Sequence, residues 1–322
     1  MTSNGRSQRL VRAAGDYLGM LAVLGVLVAI FSFKAENFLT QTNLRTIANQ
    51  IPAAVVIATG MTFVLIVAGI DLSVGSVAGL CGAVLGVSMV QARLPLALAV
   101  VLGLATGLAC GLANGLVSTR WRIPSFIVTL GMLEAARGGA YLVTNSQTQY
   151  VGSSIEVIAN AGAGGLSLPF IIAILVVAAG QTVLARTTFG RHAIAVGANE
   201  EASRLSGINV KRVKTAVFAL CGLLTALAAV IETSRFASAD PNAGAGFELQ
   251  AIAAVVIGGT SLMGGRGSVV SSFFGVLIIA VLGNGLAQIG AQEPTKRLIT
   301  GCVIVAAVVF DQLRHRRRAG GP

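Results

Sequence analysis

The sequence predicts an all-α, polytopic membrane protein with about ten transmembrane helices, and three observations predict it. Of 322 residues, 55% are hydrophobic and only 11% are charged, against about 25% charged in a soluble domain. Apolar runs long enough to cross a bilayer recur along the whole chain. The 40 glycines suit helices that pack closely in a membrane, where small residues let backbones approach. A chain of this kind builds one membrane domain over residues 1–322, and lipid is its first partner.

The runs follow in order. Residues 1–16 carry Arg6, Arg9 and Arg12 and lead into the first run, 17–33. This start imitates a signal peptide. The run is followed by KAENF, with no small-x-small cleavage site, so it reads as an uncleaved first helix behind a cytoplasmic tail. The second and third runs, 46–70 and 72–91, are split only by Gly69-Ile70-Asp71, which demands a tight turn. Runs 95–118, 124–144 and 168–185 come next. Pro52, Pro95, Pro124 and Pro169 fall in the first turns of their helices, where the missing N–H is not needed. Runs 213–232, 247–263, 267–290 and 296–313 complete the set. Of these, 247–263 and 296–313 are short, and each also fits a re-entrant segment.

The basic residues set the orientation. With the N-terminus in the cytoplasm and alternating spans, Lys and Arg gather inside, in residues 6–12, 120–122, 186–214, 266 and 314–318. Lys34, Arg45, Arg93, Arg235, Lys296 and Arg297 fall outside, and Arg137 alone lies within a span. This satisfies the positive-inside rule and puts both termini in the cytoplasm, the second as the basic tail 314–322. A net charge of +11 disposed this way encodes topology and excludes a nucleic-acid face.

The cytoplasmic segment 186–212 is the most polar stretch between runs. It predicts a short helix from Asn199 to Ser206. Asn199 stands as N-cap, Glu200 and Glu201 fill the first turn, Arg204 lies near the end, and Gly207 terminates it. Ala202, Leu205 and Ile208 give it a thin apolar edge. Two longer connections, 145–167 and 233–248, fall outside and fit either plain solvated loops or contacts with an external partner. Two glycine-rich corners, 67–80 and 256–277, echo each other as the trace of an internal duplication does.

Catalytic chemistry has no visible seat. The run GGTSLMGGRGS lacks the GK[ST] ending of a nucleotide-binding loop, and HExxH, GxSxG and CxxC are missing. Cys81, Cys110, Cys221 and Cys302 lie in apolar runs without metal-ligand spacing, so neither a metal nor a cofactor is expected in this chain. Polar groups within spans are therefore the candidates for a solute path. Glu134 and Arg137 share a helix face and either neutralise each other or line the path. Asn114, Asn284 and Gln288 serve as interhelical glue or as path. Gly258, Gly259, Gly264 and Gly265 of the second corner are further path candidates. Asp71 reads first as the cap of the run that follows it, with Ser73, and second as a solute contact. So few buried acids argue against a proton- or sodium-coupled carrier and suit a neutral polar solute.

Four motifs carry a resemblance: GMTFVLIVAGIDLSVGSVAGL at 60–80, IPSFIVTLGML at 123–133, TTFGRHAIAVGANEEASRLSGI at 187–208 and AVVIGGTSLMGGRGSV at 254–269. The chain resembles the inner-membrane permease subunits of ribose-type sugar ABC importers, part of a branched-chain amino acid and sugar permease superfamily. The resemblance implies a homodimer of permeases in a bacterial cytoplasmic membrane. It also implies a cytoplasmic ABC ATPase, which holds the ATP and Mg, and a periplasmic sugar-binding protein. Residues Gly197, Ala198, Asn199, Glu200, Ala202, Arg204, Leu205, Ser206, Gly207 and Ile208 match the family loop G-x-N-x-x-A-x-x-L-S-G-I, which implies the segment that couples to the ATPase. Glu201 and Ser203 depart from the residues often found there. Related permeases carry other sugars, an autoinducer furanose or nucleosides, so the solute stays open. The alternative class is a stand-alone carrier or channel for a small polar solute.

Overall fold

The structure is a computed structural model that describes residues 3–163, 166–303 and 305–306, with side chains from Leu18 onward, Ala163 apart. Its helices are α1 (Ser3–Lys34), α2 (Gln41–Gln50), α3 (Pro52–Ile66), α4 (Val74–Val90), α5 (Leu96–Trp121), α6 (Ser125–Thr144), α7 (Ser153–Asn160), α8 (Leu168–Arg186), α9 (Thr188–Ala198), α10 (Glu200–Leu205), α11 (Val210–Phe236), α12 (Phe247–Ile257) and α13 (Val269–Gln288). Four two-residue strands join them: β1 (Gln149–Tyr150), β2 (Gly162–Ala163), β3 (Leu166–Ser167) and β4 (Ser238–Ala239).

Five of the described helices, α5, α6, α8, α11 and α13, are long and apolar enough to cross a membrane. The pair α2–α3, bent by 43°, makes a sixth if it counts as one span. The bend falls at Pro52, which has no N–H to continue α2. Leu18–Lys34 of α1, α4 and α12 are shorter apolar helices. Run 247–263 is helical only over α12, and residues 293–303 are helical where the last run begins. Residues 305–306 are helical too, and residue 304, residues 307–313 and the tail 314–322 lie outside the described residues. The segment read as an N-terminal tail continues α1 as helix from Ser3.

The core is built around α3, which is buried on nearly every face, as a helix that is apolar all round must be. The long α11 lies antiparallel to it: Gln50 and Ala54 stand by the C-terminal end of α11. Helix α5 closes on α11 through a glycine seam. A Cβ added to Gly111 would sit 2.3 Å from the Phe218 carbonyl oxygen, and one on Gly107 2.4 Å from that of Gly222. Backbone meets backbone there, as small residues allow in a membrane.

The two connections predicted outside meet each other. Strand β1 pairs antiparallel with β4, Gln149 opposite Ala239, and the Val151 N–H donates to the Ala237 carbonyl at 2.9 Å. Between them the first connection folds α7, whose Ile155 is fully buried beside Leu85, Ala99 and Val230. It is a packed element rather than a solvated loop.

Candidate coupling surface and polar cavity

The segment after α8 is a chain of capped helices. Thr187 Oγ1 accepts the Gly190 N–H at 3.2 Å and starts α9. Asn199 Oδ1 accepts the Ala202 N–H at 2.9 Å and starts α10. Gly207, at φ +84°, ends α10. Its N–H donates to the Arg204 carbonyl at 3.1 Å, and that of Ile208 to Ser203 at 3.0 Å. Asn209 Oδ1 then accepts the Arg212 N–H at 3.1 Å and starts α11. Each end satisfies its orphan groups locally, so the elbow needs no long loop. The sequence reading missed α9. Its signal is Thr187 as a cap ahead of Phe189, Ala193 and Val196, which are spaced for one helix face.

This elbow rests on backbone. A Cβ on Gly197 would lie 1.6 Å from the Ile66 carbonyl oxygen and 2.6 Å from the Gly265 nitrogen. The Gly265 N–H itself donates to Ile66 O at 2.8 Å. A Cβ on Gly264 would lie 2.8 Å from that of Ala68, so the two glycine-rich corners touch each other beneath α9. Gly264 and Gly265 take left-handed φ of +83° and +74° in the turn that makes this contact. Gly258 presses on the Ser271 carbonyl and Gly259 turns the chain at φ +81°.

The outward face mixes one apolar knob with paired charges. Leu205 is 76% exposed, and Met263, in the turn under α9, is 85% exposed. Ser203 faces inward and is buried. Glu201 and Arg204 pair on the surface, and the hydrogen bonds from Arg204 hold the Glu201 carboxyl below its ordinary pKa. Glu200 pairs with Lys214 at 2.5 Å, tying α10 to α11.

The polar residues within spans sort differently from expectation. Asp71 Oδ1 accepts from the Ser73 N–H at 2.9 Å and its hydroxyl at 2.6 Å, and Asn114 Nδ2 donates to Ser73 Oγ at 3.0 Å. Asp71 and Asn114 thus form one buried network at the start of α4. The Oδ1 atoms of Asn114 and Asn284 are buried without a partner among the described residues. The Glu134–Arg137 pair expected from their spacing does not form. The Arg137 guanidinium donates across the fold to the carbonyls of Pro241 and, at 3.0 Å, Ala243. Glu134 is exposed on α6. The long-range carbonyls win because they are fixed and unsatisfied, whereas an i,i+3 pair is worth only about 0.2–0.5 kcal/mol.

At the far end of α3 and α11 lies a cavity of about 640 Å³. Glu232, Thr233, Arg235, Asp240, Phe247 and Gln250 supply its side-chain chemistry, and Ala54, Ala78, Gly82 and Ala229 its small-residue wall. Arg235 and Glu232 pair at 3.5 Å, and the Arg235 guanidinium lies over the Phe236 ring at 4.6 Å. None of the path candidates Asn114, Asn284, Gly258, Gly259, Gly264 or Gly265 lines it.

Residues 43–308 match the family model described as "branched-chain amino acid transport system / permease component". The chain is 42% identical over 300 residues to the ribose import permease protein RbsC of Escherichia coli K12, covering 92% of this chain and 93% of that protein. It is 40% identical to the protein of the same name in Bacillus subtilis, covering 94% of each. To the L-arabinose ABC transporter permease protein AraH of Azospirillum brasilense it is 36% identical, covering 93% of this chain and 88% of that one. The helical fold, the apolar spans and this full-length likeness agree, and the chain belongs to the branched-chain amino acid transport system / permease component family.

Proposed function

We propose that this chain is the permease subunit of an ATP-driven importer and provides the membrane path for a ribose-type monosaccharide. The observation that carries this reading is the likeness to ribose import permeases over nine-tenths of both chains. Relatives named for L-arabinose and D-allose transport support a sugar over an amino acid. The partners are a cytoplasmic ABC ATPase, which binds ATP and Mg, and a periplasmic binding protein that delivers the sugar. The surface α9–α10 with Leu205 is the ATPase dock, and residues 186–212 are the coupling segment. The location is the bacterial cytoplasmic membrane, with about ten spans and both termini cytoplasmic.

A second copy of the chain completes the path. Glu134 stands exposed midway along α6, and a Cβ built on Gly131 or Gly138 meets open space. A carboxylate is costly against hydrocarbon, so this face suits a protein neighbour or water. A homodimer supplies both along one axis. The stand-alone carrier explains neither the exposed dock nor the relatives' names.

The test is uptake into proteoliposomes holding the permease with its cognate ATPase and binding protein. D-ribose should enter only with both partners and ATP. Uptake by the permease alone, without ATP, would overturn the assignment in favour of the carrier.

A further inference from the structure

The polar cavity exists because a stretch of chain is unwound inside the protein. After β4 the chain does not return as helix. It runs along α4 in extended and turn conformation and becomes helical only at Phe247. Three glycines on one face of α4 mark its course. Gly86 lies against Ala239, and Gly79 against the carbonyls of Pro241 and Ala243. Gly75 meets the Gly244 carbonyl and the Glu248 side chain. From Gly86 to Gly75 a helix rises roughly 16 Å. Non-helical backbone at such depth persists only where it is buried in protein or lines a water-filled cavity. This arm does both. Arg137 takes two of its carbonyls on the α4 side, while Ser238, Asp240 and Gly244 face the cavity.

We infer that the cavity between the unwound arm 238–246 and the C-terminal end of α11 is a solute site for a neutral, polyhydroxylated molecule, resting on the sugar-importer reading above. Its volume falls within the roughly 300–1,000 Å³ of small-molecule pockets. Its chemistry suits hydroxyl groups. Glu232 and Asp240 accept from them, Arg235 donates to them, and Thr233 and Gln250 do both. Phe247 offers an apolar face for ring carbons. An anion or an amino-acid carboxylate is disfavoured, because the described lining sets two acids, Glu232 and Asp240, against one base, Arg235, which Glu232 already partners.

The site is also connected. Gln250 and Phe247, in the first turn of α12, line the cavity. The turn that follows α12 carries Gly264 and Gly265 beneath α9. One short helix therefore links the solute site to the coupling surface. Movement of the ATPase at α10 reaches the cavity through α12 and through α11.

The test uses the full complex with its ATPase and binding protein, in a Cys302→Ser background that removes the exposed native thiol. Gln250→Cys should react with a water-soluble thiol reagent, and saturating D-ribose in the presence of the binding protein should slow that reaction at least threefold. L-leucine should give no protection. Glu232→Gln and Asp240→Asn should each lower D-ribose uptake by about tenfold, as the loss of a charged hydrogen-bond partner does, with ATPase co-purification unchanged. Wild-type ribose uptake by both variants together with an unprotected Gln250→Cys would overturn the site while leaving the permease reading intact. A wild-type complex that imports L-leucine and no sugar would overturn the substrate reading and this ligand class with it.

Discussion

The two ends of α11 present opposite surfaces. At its N-terminal end, α9 and α10 form a knob, where Leu205 and Met263 stand out beside the ion pairs Glu201–Arg204 and Glu200–Lys214. At its C-terminal end the surface is hollow, and Glu232, already paired with Arg235, lines a cavity with Asp240 and Gln250. The difference follows from how the backbone is satisfied. Every helix in the elbow is capped by its own sequence, so α10 can project while α9 packs on the backbone of Ile66 and Gly265. The unwound arm has only short turns of its own, with Asp240 Oδ1 accepting the Asn242 N–H, and it also borrows Arg137 and strand β1 to stay in place. A projecting knob suits a docked protein. A borrowed, polar backbone suits a solute that must be held weakly and released.

Between the two ends runs the α5–α11 seam, and breaking it should have the largest effect. Gly111→Leu puts a side chain where even a Cβ would lie 2.3 Å from the Phe218 carbonyl. Overpacking of this kind costs about 1–3 kcal/mol where a site can relax, and a backbone contact relaxes little. Monodisperse, membrane-inserted protein should be lost on size-exclusion chromatography, taking both ends with it. A well-behaved Gly111→Leu protein would mean that the ends do not depend on a rigid strut.

Leu205→Asp should rank second and strike the knob alone. A buried leucine contributes roughly 1.5–3 kcal/mol, and the exposed Leu205 is the apolar group on α10 free to be buried by a partner. Uptake and ATPase co-purification should fall by at least about tenfold, in line with that contribution. Insertion should be intact, because α10 makes its own caps. Met263→Asp should act in the same direction. Normal uptake by Leu205→Asp would remove the elbow from the dock.

How much of this was legible depended on the distance over which each feature is decided. Asn199 and Gly207 are local signals, and the helix between them was readable because capping is settled within a few residues. Pro52 reads as a first-turn proline and is the first residue of α3; the run does not show that α2 precedes it as a separate helix, bent from α3 by 43°. Arg137 shows the limit. Glu134 is three residues away and looked like its partner, but the groups it holds lie more than a hundred positions along the chain. The cavity was hidden for the same reason. Glu232 and Asp240 read as the end of a span and a loop turn, and only the glycine face of α4 folds that loop inward. Glycine spacing on α4, Gly75, Gly79, Gly82 and Gly86, was the available signal, and it passed for general membrane packing.

Arg137→Ala should rank third and strike the concave end. It frees the carbonyls of Pro241 and Ala243, and leaving a buried acceptor unsatisfied costs about 1–3 kcal/mol. The arm remains pinned at β1 and β4, so the fold should survive with a lower melting temperature. Sugar uptake should fall severalfold while ATPase co-purification stays normal, the reverse of the Leu205→Asp pattern. Equal loss of both would erase the distinction between the two ends.

Glu200→Ala should have the smallest effect. Glu200 lies in the first turn of α10 and pairs with Lys214 at 2.5 Å, so its removal looks severe on paper. The Glu200 side chain is 58% exposed and that of Lys214 is 22% exposed, however, and such pairs are worth about 0–1 kcal/mol because water competes for both ions. Its favourable position against the helix dipole adds only about 0.3–1 kcal/mol, and Glu201 remains beside it to supply the same charge. The Asn199 cap, which starts the helix, is untouched. Uptake at physiological salt should therefore stay within about twofold of wild type, as expected for a rim ion pair. The small deficit should shrink further as salt rises, since exposed pairs are screened beyond roughly 8 Å at 0.15 M. A loss as deep as that of Leu205→Asp, persisting at high salt, would mean that Glu200 is itself buried by the ATPase, and the dock would then be charged at its centre rather than apolar.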